Sequence, residues 1–316
     1  MNFDIARRTI LKVRHGSHAY GTNTPTSDLD VKGVCIEPMS HQLGFLNTFE
    51  QFEKMAGKTG DTDLVIYSLK KFAKLAADCN PNIIEVLHVA DSDVLFIDPF
   101  GELLREMKDE FLSKKAKFTF SGYAHAQLKR IKTHRSWLLD PPTAAPDRKQ
   151  FGLSELTKVQ PSELGAFDAA MEQGVELELS KEVLTLFTRE KQYQAAKRHW
   201  DQYNEWKANR NPARAELEAK FGYDTKHGMH LLRLMRMCKE ILTEGKVHVK
   251  RPDAEELLAV RAGNRSYDSL IEEAERLEAE CEELYKTSTL RREPDRVKLD
   301  AFVVNLTMDF VLHTGS

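Results

Sequence analysis

Two aspartates, Asp28 and Asp30, stand either side of Leu29 at the head of an apolar run, Val31 to Ile36, and Gly16-Ser17 precedes them by about a dozen residues. If that run is a strand, side chains two apart emerge on one face, so both carboxylates can address one cation. Hard Mg²⁺ (or Mn²⁺) takes oxygen ligands, usually one or two protein carboxylates completed by substrate phosphates and water. A third carboxylate would make a two-metal site, which activates an attacking hydroxyl and neutralises a departing pyrophosphate in an in-line displacement, with no covalent enzyme intermediate. Gly16 lets the backbone approach closely and Ser17 adds a hydroxyl. These suit receipt of a triphosphate where a strand turns into a short helix.

Asp-x-Asp alone says little, because it recurs at Asp61/Asp63 and Asp91/Asp93. Asp91 and Asp93 flank Ser92 just before Val94 to Ile97, the composition of a strand-entry turn. Thr24-Pro25-Thr26-Ser27-Asp28 has the residue types of a connecting turn, the competing reading of the first pair. His18, inside the Gly-Ser turn, is compatible with a phosphate or acceptor contact and with plain packing.

The elements that must position these groups are legible in outline. Thr9 to Val13 reads as a strand leading into Gly16-Ser17, Val31 to Ile36 as a second ended by Glu37-Pro38, and Asp63 to Tyr67 as a third. Ser68 is placed to cap a helix with Leu69, Phe72, Ala73 and Ala76 on one face, and Asn80-Pro81 starts another with Ile83, Ile84, Val86 and Leu87 inward. From Phe111 onward helical patterns dominate, including residues 179–244 and 253–286, with Gly245 and Arg251-Pro252 as stops. The strongest breaker is Asp140-Pro141-Pro142-Thr143-Ala144-Ala145-Pro146. The expectation is a catalytic domain over residues 1–140 and a helical domain over 147–316 that binds the acceptor and completes the nucleotide site.

The 316 residues, 41% apolar and 30% charged, describe an ordered globular chain. Its net charge of −3 provides no long-range field for a polyanion, so any nucleic-acid contact must be local. Four scattered cysteines form neither a zinc pattern nor a disulfide framework. With no apolar leader and no membrane-length run, the expectation is a cytoplasmic protein with no membrane partner.

Leu112 to Leu139 supplies that local charge: Lys114, Lys115, Lys117, Lys129, Arg130, Lys132 and Arg135, without one Asp or Glu. Phe118, Phe120, Tyr123 and Trp137 are interleaved, which suits phosphate neutralisation with base stacking on a single strand. A solvated helix with a buried aromatic side accounts for the same pattern. A second basic segment runs through Lys226, His227, Arg233, Arg236 and Lys239, in which Lys226, His227, His230 and Arg233 lie on neighbouring helical turns that could face a triphosphate, with helix-surface charge as the competing account. Asp224 is placed to cap that helix. The acidic stretch from Glu255 to Glu283 reads as a solvated face.

Gly16-Ser17-His18-Ala19-Tyr20-Gly21 followed by Ser27-Asp28-Leu29-Asp30 resembles the DNA-polymerase-beta nucleotidyltransferase superfamily. Ile66 to Phe72, Asn80 to Glu85, Ser121-Gly122-Tyr123-Ala124 and Gly222 to His227 are similar, more narrowly, to its RNA-ligase-associated (RNA-repair) members, over residues 10 to about 265. The resemblance implies an α+β fold, a polymerase-beta-like palm (small mixed sheet with helices) followed by a mainly helical carboxy-terminal region. It also implies a third carboxylate on a later strand, for which Asp63 is the choice and Asp61 the second. Transfer of an NMP from an NTP to an acceptor hydroxyl at an RNA end is the implied reaction. Gly16, Ser17, Lys226, His227 and Arg233 would bind the nucleotide, and Lys129, Arg130, Lys132 and Arg135 the RNA, with an RNA ligase or other repair enzyme as partner. Protein or small-molecule nucleotidylation, or a non-catalytic nucleotide- or RNA-binding module, are the alternatives.

Overall fold

The computed structural model describes residues 3–55, 62–155, 159–172 and 180–314. The chain opens with a single helical turn, α1 (Ile5–Arg8), and enters β1 (Thr9–His15), which runs directly into the five-residue helix α2 (Gly16–Tyr20). After the Thr24–Ser27 turn come β2 (Asp30–Cys35), the short helix α3 (Met39–Gln42), β3 (Gln51–Lys54) and β4 (Asp63–Ser68). Ser68 caps α4 (Leu69–Ala77) by accepting from the Lys71 amide, and Asn80 caps α5 (Pro81–His88) from the Asn82 amide. Asp91 to Asp93 form a single 3-10 turn into β5 (Val94–Ile97), followed by α6 (Pro99–Glu106).

The five strands make one mixed sheet in the order β3-β4-β2-β1-β5. β2 and β4 are parallel neighbours, and the other pairings are antiparallel. α4 and α5 bury Leu69, Phe72, Ile83, Ile84, Val86 and Leu87 in one core with Leu11, Val13 and Val34 of the sheet. The expected α+β palm is thus what the chain forms.

The rest is helical: α7 (Lys115–Leu139), α8 (Pro161–Glu172), α9 (Lys181–Ala208), α10 (Pro212–Phe221), α11 (Thr225–Glu244), α12 (Ala254–Arg261), α13 (Tyr267–Thr287) and α14 (Arg296–Thr314). The long helical stretch read over residues 179–244 is cut twice, at Asn209–Asn211 and at Gly222–Asp224. Gly222 adopts a left-handed backbone there, and Asn211 and Asp224 cap the next helices.

The chain divides into two compact units. The first holds residues 1–132 and 223–316, and the second residues 133–222. The boundary falls inside α7 and at Tyr223 rather than in the Pro-rich segment at 140–147. The physical reason is that residues 223–316 are tied back to the sheet domain: the Arg251 amide donates to the Tyr20 carbonyl at 3.0 Å, Arg261 to the Thr22 carbonyl at 3.2 Å, and Lys117 pairs with Glu282. The second unit has its own small core, in which Trp137 donates through Nε1 to His199 at 2.8 Å and packs against Tyr203 and Trp206. Among the described residues no helix is long and apolar enough to cross a membrane.

Candidate active site

Strand register assembles the carboxylates. Asp30 heads β2 and is paired across the parallel ladder with Asp63, which heads β4, while the Asp63 amide donates to the Leu29 carbonyl at 3.1 Å. Directly paired residues share a face of the sheet, so both carboxyl groups emerge on the side covered by α5. Asp28 lies exposed in the loop immediately before β2. The grouping is visible in the electrostatics. Burial raises the Asp30 carboxyl above its ordinary range, and the Asp63 and Asp28 charges raise it further, against His15 and Lys32, which lower it. Asp61, the second choice for a third carboxylate, lies outside the described residues.

Gly16 sits beneath this group. Its φ is +64°, and a Cβ there would lie 2.1 Å from Asp30 Oδ2, so only glycine lets the turn and the carboxylate coexist. Ser17 follows in α2, whose amino end carries no side-chain cap. The loop to Asp28 is held by its own hydrogen bonds: the Ser27 amide donates to the Thr24 carbonyl at 2.9 Å, and the Thr24 amide to Ser27 Oγ at 2.8 Å. His18 Nε2 lies 3.5 Å from the Ser27 carbonyl, which gives His18 a loop-holding contact.

Behind the carboxylates is a buried polar network in which the sequence singles out only Arg233. Glu85, fully buried on α5, accepts from Tyr20 Oη at 2.5 Å and from Arg233 Nη1 at 2.5 Å, and lies 3.1 Å from His15 Nε2. The Arg233 guanidinium also stacks over the Tyr20 ring at 3.9 Å. Burial opposes ionisation of Glu85, but Arg233, His15 and Tyr20 overcome it and hold the carboxyl well below its usual range. Burial and Lys32 lower His15, against Glu85, which raises it, and its Nε2 lies between Glu85 and Lys32 Nζ, the latter at 3.4 Å. Lys32, pushed down to about 8 by burial, donates to the Asn82 carbonyl at 3.1 Å. The available signal for Glu85 was a carboxylate in the apolar run Ile83-Ile84-Glu85-Val86-Leu87, where a helix buries an acid only if it is partnered.

The nucleotide-binding candidates on α11 therefore separate. Arg233 is buried as the counter-charge of Glu85, and that pair fastens α11 to α5, with Tyr20 of α2 held by both partners. Lys226 is exposed at the start of α11. His227 contacts Gln127 Oε1 through Nδ1 at 2.6 Å, and its amide donates to the capping Asp224 at 3.1 Å. Burial and the Arg233, Lys226 and His227 charges push His230 down to about 3.

On α7, Lys129, Arg130 and Lys132 are exposed and form no ion pair among the described residues. Lys115 is taken by Asp78, and Lys117 by Glu282. Arg135 is different: it donates to the Gly222 carbonyl at 2.7 Å, closing the end of α10 inside the second unit. Of the interleaved aromatics, Phe120 and Trp137 are core, whereas Phe118 and Tyr123 are surface, 57% and 38% exposed.

Residues 3–138 match the RNA repair pathway DNA polymerase beta family. This covers α1 to nearly the end of α7, and so contains Gly16, Ser17, Asp28, Asp30, Asp63 and Glu85. The likeness read at Gly222 to His227 lies beyond it. The chain is also similar to an uncharacterized 38.9 kDa protein in the nrdC-mobD intergenic region of Enterobacteria phage T4, at 31% identity over 128 residues, 38% of each protein. No solved structure matches the chain.

Proposed function

We propose that the chain is a metal-dependent nucleotidyltransferase that moves an NMP from an NTP to an acceptor hydroxyl at an RNA end and releases pyrophosphate. The observation that carries this reading is the in-register pairing of Asp30 with Asp63, with Asp28 beside them and Gly16 under Asp30. The family match over residues 3–138 supports polymerase-beta-type nucleotidyl transfer in RNA repair.

The donor set is of the kind a divalent cation takes: Asp30 and Asp63 are paired in register, and burial first, then the Asp63 and Asp28 charges, raise the Asp30 carboxyl. Asp28, Asp30 and Asp63 would hold Mg²⁺ or Mn²⁺, which when bound supplies Lewis acidity toward phosphate oxygens and the acceptor hydroxyl. The chain's own residues do the rest. Backbone N–H groups of the Gly16-Ser17 turn and the Ser17 hydroxyl receive the triphosphate, and Lys226 and His227 offer charge and hydrogen bonds from α11. Asp63 helps remove the acceptor proton. The Glu85–Arg233 pair keeps α11 and the Gly-Ser turn in fixed relation, so that both sides of the nucleotide are pre-organised.

The test is incubation of α-labelled NTPs with Mg²⁺ and total RNA, tRNA or lysate protein, comparing the unaltered chain with Asp30→Ala. Label on RNA that disappears in the variant supports the reading. Label on protein alone shifts the acceptor to a side chain. Metal-dependent NTP binding with no labelled acceptor reduces the chain to a binding module.

A further inference from the structure

The face of the sheet opposite the carboxylates is buried along its middle at Val31, Gly33 and Ile66 but opens at its edges, where Phe96 and Lys54 are exposed, and its composition is unlike that of a hidden core. Strand register lines up one row straight across all five strands: Phe96 of β5, Lys12 of β1, Gly33 of β2, Ile66 of β4 and Phe52 of β3. The adjacent row is Arg14, Val31, Leu64 and Lys54. Paired residues in a ladder point to the same side, so two rings and three cations share this face, and neither row contains a carboxylate.

Gly33 makes the floor low. A Cβ there would meet the Leu11 carbonyl oxygen at 2.7 Å, so no side chain rises between Lys12 and Ile66. The hollow is bordered by Phe3 to Ala6 around α1 and has a volume of about 450 Å³, within the range of roughly 300–1,000 Å³ that small-molecule sites occupy. Phe96 is 44% exposed, and Lys54 is exposed. Lys12 and Lys54 form no ion pair among the described residues, and Arg14 is only loosely engaged, 3.2 Å from the Ser92 carbonyl and 3.8 Å from Asp93. The carboxylate at the rim, Asp4, is occupied by the α1 amides and by Arg7.

We infer that this face binds a single-stranded stretch of RNA, with bases against Phe96 and Phe52 and phosphates at Lys12, Arg14 and Lys54. Flat rings separated by a glycine floor suit stacked bases, because every base has a π-face. Lys12 and Lys54, without an ion pair among the described residues, and the half-exposed Arg14 suit phosphates, which release counterions on contact. A protein partner would meet an uncompensated positive row, whereas a polyanion neutralises it. The inference rests on RNA as the acceptor of the proposed transferase, and places part of that RNA away from the reacting end.

The test is RNA binding by the full chain without NTP, read by fluorescence anisotropy with a labelled single-stranded oligoribonucleotide over a salt series. Phe96→Ser and Phe52→Ser should each weaken binding by roughly five- to hundred-fold, the range for one lost stacking ring. Lys12→Glu should weaken it and flatten its salt dependence. Asp30→Ala, which removes the transfer chemistry, should leave this binding intact, so failure of the transferase reading and failure of the RNA face give different results. Unchanged affinity in folded Lys12→Glu and Phe96→Ser proteins overturns the inference. So do photocrosslinks from 4-thiouridine RNA that fall wholly outside β1, β3 and β5, or a dimer that Phe96→Ser dissociates while RNA affinity stays the same.

Discussion

Asp30 and Asp63 occupy paired positions on neighbouring parallel strands, so the two carboxyl groups are fixed side by side by backbone hydrogen bonds rather than by flexible side chains. Burial raises the Asp30 carboxyl, and without a cation the Asp63 and Asp28 charges add to the penalty. Asp30→Asn should therefore leave metal-free thermal stability equal to or above that of the unaltered chain. Nucleotidyl transfer should fall by on the order of 10²-fold or more, the scale for losing one pre-organised electrostatic group. Mg²⁺ should raise the melting temperature of the unaltered protein, because a ligand at 100 times its Kd adds about 2.7 kcal/mol, and this rise should vanish in Asp30→Asn. Melting curves with and without Mg²⁺ check both halves. A melting temperature that Mg²⁺ raises equally in both proteins would remove Asp30 from the metal site.

Gly16→Ala tests the close approach under Asp30. The new Cβ meets Asp30 Oδ2 at 2.1 Å and the residue keeps a φ of +64°. An L-residue pays about 1–2 kcal/mol for that backbone alone. The expected result is a loss of at least that much stability with weakened NTP binding, read by urea denaturation and calorimetry.

The Glu85–Arg233 pair should behave as an internal salt bridge. Arg233→Met leaves Glu85 buried without its counter-charge and should destabilise the first unit by about 3–5 kcal/mol, while Glu85→Gln/Arg233→Met should lose much less than the sum of the single losses. If Arg233 instead gripped the triphosphate, Arg233→Met would raise the NTP Kd at unchanged stability.

His88 and His230 give a pH dependence with a definite sign. Burial, reinforced by neighbouring cations, pushes each folded-state value down to about 3 from the ordinary 6.5, and His88 Nε2 has no hydrogen-bond partner among the described residues. Between those limits the unfolded imidazole binds a proton that the folded one refuses, so stability falls as pH drops below about 6.5. The slope is up to ~1.4 kcal/mol per pH unit for each histidine. Above 6.5 both states are neutral and this contribution is flat. Urea denaturation between pH 7.5 and 5 reads the slope, and His88→Gln should reduce it by about half.

Much of this arrangement follows from short-range rules. Period-two alternation after Asp30 and at Asp63 puts the carboxylates on one face, and Ser68, Asn80 and Asp224 announce their helices as caps. What the sequence hides is non-local. Arg233 is 148 residues from Glu85, and a basic helix reads as a phosphate surface until its buried partner is known. β3, four residues of Gln51-Phe52-Glu53-Lys54 at the sheet edge, carries too little apolar signal to be seen, yet it supplies one end of the row on the face opposite the carboxylates. The return of residues 223–316 to the first unit depends on bonds such as Arg251 to Tyr20, which no composition break records.

α7 offers a last test, because its cations divide by role within one helix. Lys129, Arg130 and Lys132 are exposed, with Tyr123 and Phe118 on the surface of the same helix, whereas Arg135 is committed to the Gly222 carbonyl. Each phosphate contact on a single strand contributes about 0.7 to the slope of log affinity against log salt. Lys129→Glu/Arg130→Glu should therefore weaken RNA binding and lower that slope by about 1.4 or more, with the melting temperature retained, since neither side chain supports the fold. Arg135→Glu should do the reverse, destabilising the end of α10 in the second unit and leaving the salt slope unchanged. An unaltered slope in the double reversal would assign the exposed cations of α7 to solvation, and the RNA contacts would have to be sought elsewhere on the first unit.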